Sequence, residues 1–193
     1  MATVSFPDRT HEERAALVEA LSNPDAYAHD VDQPIQVIET HISHLFLTGR
    51  YAYKVKKPVD LGFVDYSTLA LRKRYTELEL NLNRQVSPDV FIGVEPVASI
   101  SGGGFYVGGD GEPIEYALKM RQLPADRTFA ILLSRGFIDQ NEIRDAARLV
   151  ARFHGAASEV PASSPLGGVE AMREVTGDNL SVITRFAGVT CTE

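Results

Sequence analysis

The chain has 193 residues, 44% of them hydrophobic and 23% charged, enough for one domain or for two small lobes around a cleft. Its formal charge of −7 argues against a generic nucleic-acid binder, which needs a basic field, but leaves room for a local basic pocket that takes a small anion. The single cysteine, Cys191, can form no internal disulfide. With no signal-length apolar run at the N-terminus and no stretch near the ~20 apolar residues that span a bilayer, the expectation is a soluble cytoplasmic protein without a membrane partner.

In chain order, Thr10 to Leu21 predicts a short amphipathic helix with Ala15, Leu17, Val18 and Leu21 on its apolar side, stopped by "SNPDAY". Three β-rich runs follow, "IQVIETHI" (35–42), "HLFLT" (44–48) and "YAYKVKKPV" (51–59), separated by Ser43 and by Gly49-Arg50, which predicts an antiparallel meander. Ser67 reads as an N-cap for a helix over 68–86 that "SPD" ends. Strands are predicted at 92–100, 105–109 and 114–120, with turns at "SGGG" and Asp110-Gly111. The rest reads as helical: 128–136, then about 141–158 with Ile143, Ala146, Ala147, Val150, Phe153, His154 and Ala157 on one face, then a weaker stretch from Val169 to Phe186. Sheet first and helices afterwards indicates an α+β fold in two lobes. The divisions are a helical lead-in over 1–34, an antiparallel-sheet lobe with one packed helix over 35–121, and a hinge with an incomplete helical lobe over 122–193, "RQLPAD" (121–126) forming the hinge.

The strand at 51–56 poses a question. Tyr51, Tyr53 and Val55 alternate with Ala52, Lys54 and Lys56, so the lysine face is either wet or meets an anion. In the following helix Tyr75, Leu78, Leu82 and Val86 recur at helical spacing and define the expected buried face. Glu79 lies about 40° from Tyr75 and about 20° from Val86, inside that stripe, while Glu77 points to solvent. A buried carboxylate needs a cation, and Lys54 is the best candidate. The plain alternative is a structural salt bridge, or a Glu79 that snorkels to the helix edge. A strand lysine held by a helix glutamate is also how a protein kinase places its lysine on the α- and β-phosphates of ATP, and Ala52-Tyr53-Lys54 matches the Ala-x-Lys of the kinase strand.

The block "ETHISHLFLTGRYAYKVKKPVDLGFVDYSTLALRKRYTELELNLNR", Glu39 to Arg84, is similar to the N-terminal region of bacterial aminoglycoside-phosphotransferase-like proteins, which are often fused to a C-terminal P-loop ATPase domain. "NPDAYAHDV", "SPDVFIGVEPV", "YALKMRQLP" and "FHGAA" extend the resemblance over most of the chain. It implies a protein-kinase-like fold with ATP and magnesium as cofactors and a small hydroxylated molecule as acceptor. It implies Lys54 as the phosphate lysine, Glu79 as its partner, Ala52 on the same strand, and Glu115 to Arg121 as the last strand and the hinge facing adenine, with Met120 and Arg121 at its end. The turn at Thr40 to His44 would cover the nucleotide, although it lacks the glycines of G-x-G-x-x-G.

No His-Gly-Asp-x-His motif with a following asparagine is present; "HGAA" (154–157) starts like one without its aspartate, and "GDNL" (177–180) lacks its histidines. The catalytic loop and the metal ligands are therefore expected beyond residue 193, and the chain reads as the front of a longer protein or as a truncated product, inactive alone. The rivals are a non-catalytic kinase-like sensor or scaffold, regulating a fused ATPase domain, and a fragment without a function of its own. Other constellations carry less: His41 and His44 face opposite sides of an extended strand, Lys56 and Lys57 read as edge lysines that discourage aggregation, "SGGGFYVGGDGE" as hairpin turns, "RKR" (72–74) as a solvated face, and His154 as a core histidine.

Overall fold

Six strands pair, in the computed structural model, into one antiparallel sheet; residues 11–99, 104–161, 164–165 and 168–184 are described. The expected turn at 101–103, the first residue of the predicted N-terminal helix, the end of the predicted last helix and Cys191 lie outside the described residues. The helices are α1 (His11–Leu21), α2 (Leu69–Arg84), α3 (Phe129–Ser134), α4 (Gln140–Ala156) and α5 (Val169–Thr184). The strands are β1 (Gln36–Glu39), β2 (Ser43–Leu47), β3 (Tyr51–Lys56), β4 (Phe91–Ser99), β5 (Phe105–Val107) and β6 (Pro113–Arg121), in sheet order β1-β2-β3-β6-β4-β5 with antiparallel neighbours. The fold is α+β, and the first three strands form the expected meander. By backbone contacts the chain divides into two units, Met1–Leu149 and Val150–Glu193, the division falling inside α4.

Local chemistry moves several boundaries. Ser43 is not a break between strands; it begins β2, because the turn before it closes at Thr40, whose hydroxyl donates to the Ser43 carbonyl and accepts from the Ser43 N–H, both at 3.0 Å. β3 stops at Lys56, two residues before Pro58, which has no N–H to give a ladder. The cap of α2 is Thr68, one residue later than expected: its hydroxyl accepts from the Leu71 N–H at 3.2 Å, while the Ser67 N–H is taken by Asp65 at 2.9 Å.

β3 lies inside the sheet and both of its faces are covered. Leu17 and Leu21 of α1 join Tyr27, Phe46, Tyr53, Val55, Val97, Val107 and Ala117 in one hydrophobic cluster, so the lead-in helix packs on the Tyr53/Val55 face. α2 packs on β6 and β4 and covers the other face, where Ala52, Lys54 and Lys56 stand. The lysine face of β3 is therefore largely covered, with Lys54 alone of the three partly exposed.

The helix also turns a different side to the sheet than its apolar stripe predicts. Leu78 and Leu82 are 43% and 57% exposed, and the buried residues are Arg72, Thr76 and Leu80. The observed stripe is rotated by about 100° from the expected one. The reason is electrostatic. Arg72, expected on a solvated face, donates through Nε to both oxygens of Glu115 on β6 at 3.0 and 2.8 Å, and through Nη1 to the carbonyls of Tyr66 and Ser67 at 3.0 and 3.1 Å. With its donors used in this way the guanidinium can be buried, and it fixes the rotation of the helix.

Candidate functional site

β3 and α2 together bring Lys54 and Glu79 into contact: Lys54 Nζ donates to Glu79 Oε1 at 2.7 Å. Glu79 sits at the margin of both stripes, expected and observed, about 20° from Arg72 around the helix, which is why it faces the sheet although the apolar stripe does not. A second ammonium shares the carboxylate. Lys56 Nζ donates to Glu79 Oε2 at 2.5 Å and lies 4.8 Å from the centre of the Tyr66 ring, a cation–π contact. Lys56 is thus not an edge lysine; its side chain is 4% exposed, against 31% for Lys54 and 21% for Glu79.

Two ammonium groups against one carboxylate leave one positive charge in excess. Burial pushes the Glu79 carboxyl up, but the hydrogen bonds and charges of Lys54 and Lys56 outweigh it, so the group titrates below the usual carboxylate range. The result is a small, partly accessible cationic spot in a chain that is acidic overall, and an anion can reach it only through Lys54.

The remaining expected site residues divide. Ala52 is directly opposite Met120 in the β3–β6 ladder and buried on the Lys54 face, so these two stand side by side near the lysine. Arg121 is opposite Tyr51, on the other face, and its N–H donates to the Val90 carbonyl at 2.8 Å. The next amide, Gln122 N–H, donates to the Arg50 carbonyl at 3.2 Å. The hinge amides at these two positions are therefore committed within the lobe. At the start of β2, the Ser43 hydroxyl is the buried side-chain oxygen without a hydrogen bond among the described residues, and Ser43 pairs across the ladder with Lys56.

Two grooves lie away from Lys54. One, of about 500 Å³, runs between α1 and the start of the sheet and is lined by Arg14, Val18, Glu39, His44 and Lys57. There Lys57 is ion-paired with Glu39, and His44 Nε2 is 3.7 Å from the same carboxylate. Burial and the neighbouring Lys57 charge hold the His44 imidazole below its ordinary value, with Glu39 opposing. The other, of about 170 Å³, is lined by His29, Tyr53, Glu95 and Lys119. His29 Nε2 is hydrogen-bonded with the Tyr53 hydroxyl at 2.9 Å, and Lys119 Nζ is 3.2 Å from Glu95 and 4.9 Å from the Tyr51 ring centre. Among the described residues no three His, Cys, Asp or Glu side chains gather in a way that could hold a metal ion.

Sequence reasoning missed Lys56, Arg72 and the role of Glu115 in holding α2. Two signals pointed to them: Lys56 follows Lys54 by two residues and so shares its face, and Arg72 precedes Glu79 by seven, two helical turns.

Proteins similar to this chain include an uncharacterized protein of Mycobacterium bovis and uncharacterized proteins from two strains of Mycobacterium tuberculosis, each 30% identical over 162 residues. The similarity covers 83% of this chain and 31% of each relative, so the chain spans about a third of the length of the curated relatives it matches. No family model matches the chain, and no solved structure does.

Proposed function

We propose that the chain carries the nucleotide-binding part of a kinase-like phosphotransferase that acts on a small hydroxylated molecule. In this reading Lys54 neutralises the α- and β-phosphates of ATP, Glu79 orients Lys54 before the phosphates arrive, and Ala52 and Met120 form the floor beside the adenine. The observation that carries it is the 2.7 Å contact between a lysine on an inner strand and a glutamate on the helix that follows that strand. The excess positive charge and the partial exposure of Lys54 suit a phosphate group. Among the described residues no three His, Cys, Asp or Glu side chains gather in a way that could hold a metal ion, so none of them is a magnesium ligand in this reading. Bound ATP would supply the phosphoryl group; the residues of this chain bind and orient it. The catalytic aspartate is assigned to none of the 193 residues, and a fused ATPase domain belongs to the proposal for the longer protein only.

A second reading has its own support: the burial of Lys56 and the committed amides of Arg121 and Gln122 suit a purely structural lysine–glutamate cluster in a kinase-like scaffold that binds no nucleotide. Calorimetric titration of ATP into the parent chain and into Lys54→Ala separates the two. The first reading expects binding by the parent, weaker by about tenfold or more in the variant at nearly the same melting temperature. No binding by the parent leaves the second reading standing, whereas equal affinity in the two proteins removes Lys54 from the phosphate site.

A further inference from the structure

Glu79 is gripped from two sides, and the two lysines differ in what they can do. Were a single lysine its partner, turning that lysine toward an anion would leave a mostly buried carboxylate unpaired, and the penalty would count against binding. Here the oxygens are divided, Oε1 to Lys54 at 2.7 Å and Oε2 to Lys56 at 2.5 Å. Lys56, 4% exposed and seated over the Tyr66 ring, is held in the interior by a carboxylate and an aromatic face. Lys54, 31% exposed, reaches the surface. The charged and titratable groups facing Glu79 are these two lysines from β3 and Tyr66 from the segment before α2.

We propose that Lys56 is a positioning residue for the anion site: it holds Glu79 in place from the interior, so that Lys54 is released from the carboxylate to bind phosphate oxygens. This rests on the reading of Lys54 given above and adds the residue that makes its release inexpensive. Without Lys56, Glu79 has one ammonium left, and a phosphate must compete with Glu79 for it.

Two measurements test the assignment. Lys56→Met keeps an unbranched side chain against Tyr66 and removes the charge, whereas Lys56→Arg keeps a cation. ATP titrated into the parent chain and both variants should bind about tenfold more weakly to Lys56→Met and within about threefold of the parent to Lys56→Arg. An unchanged affinity in Lys56→Met overturns the proposal. The second measurement needs no nucleotide and no change at Lys56. In Lys54→Met, the Glu79 carboxyl carbon followed by NMR should still titrate below the usual carboxylate range, because Lys56 continues to hold it; titration at or above that range overturns the proposal. If the parent binds no ATP, the phosphate reading fails and the positioning role with it, and a Glu79 that still titrates low in Lys54→Met then shows only that Lys56 holds the carboxylate.

Discussion

Arg72 and Glu115 are each 1% exposed, and their pairing is where α2 is most firmly tied to the sheet. The guanidinium also donates to the Tyr66 and Ser67 carbonyls, so one side chain fixes the last turn of the loop and the first turn of the helix. A buried pair of this kind adds little net stability compared with apolar residues of the same volume, but breaking it from one side strands a charge. Arg72→Met should therefore cost about 3–5 kcal/mol in urea unfolding, and adding Glu115→Leu should recover most of that loss. A double variant as unstable as the single one would mean that Arg72 acts through its carbonyl contacts and not through Glu115. Glu79 is the contrasting case: two ammonium groups share its carboxylate, one of them is partly open to solvent, and the arrangement has room to exchange a partner.

At the scale of the elements, strand positions were legible because alternation and turn residues speak for themselves, and β2, β3, β4 and β6 stand within about three residues of where the sequence puts them. The face of α2 was not legible. Counting apolar residues selects Leu78 and Leu82, which are exposed, and passes over Arg72, which is buried because Glu115 waits 43 positions along the chain. Hydropathy cannot see a partner on a distant strand. Glu79 came out on the correct side only because it borders both stripes. The β2–β3 turn is read more easily, since Gly49 has φ +89°, and a β-carbon there would lie 2.1 Å from Asp32 Oδ2. Gly49 N–H also donates to Gln122 Oε1 at 2.8 Å, tying this turn to the start of the hinge. Gly49→Ala should lower stability by about 2 kcal/mol or more, through both the backbone conformation and the clash. Adding Asp32→Gly removes all three close contacts, at 2.1, 2.3 and 2.9 Å, and should return about half the loss; a single variant that melts like the parent would refute the turn geometry.

For the molecule as a whole, the order of sheet and then helices was readable from the chain, and so was the amphipathic character of the later helices, but not what lies against them. Within the unit that begins at Val150, α5 leaves Val169, Met172, Leu180 and Ile183 between 52% and 70% exposed. A 16-residue helix without packing is marginal in water, because most helical stability in proteins comes from burial of one face and not from propensity. Inner strands of the sheet are in the opposite situation, with hydrogen bonds on both sides and cover on both faces. Hydrogen exchange at low micromolar concentration should therefore show amides of β3 and β6 opening only with global unfolding, and amides of α5 exchanging almost as fast as in an unfolded chain. The dependence on concentration carries the decision. Protection of α5 that grows as the protein is concentrated means its apolar side is covered by a second copy, as an exposed apolar face of this size invites. Protection that is already full at the lowest concentration means that the face is covered within one chain, and the exposure of those four side chains would have to be given up.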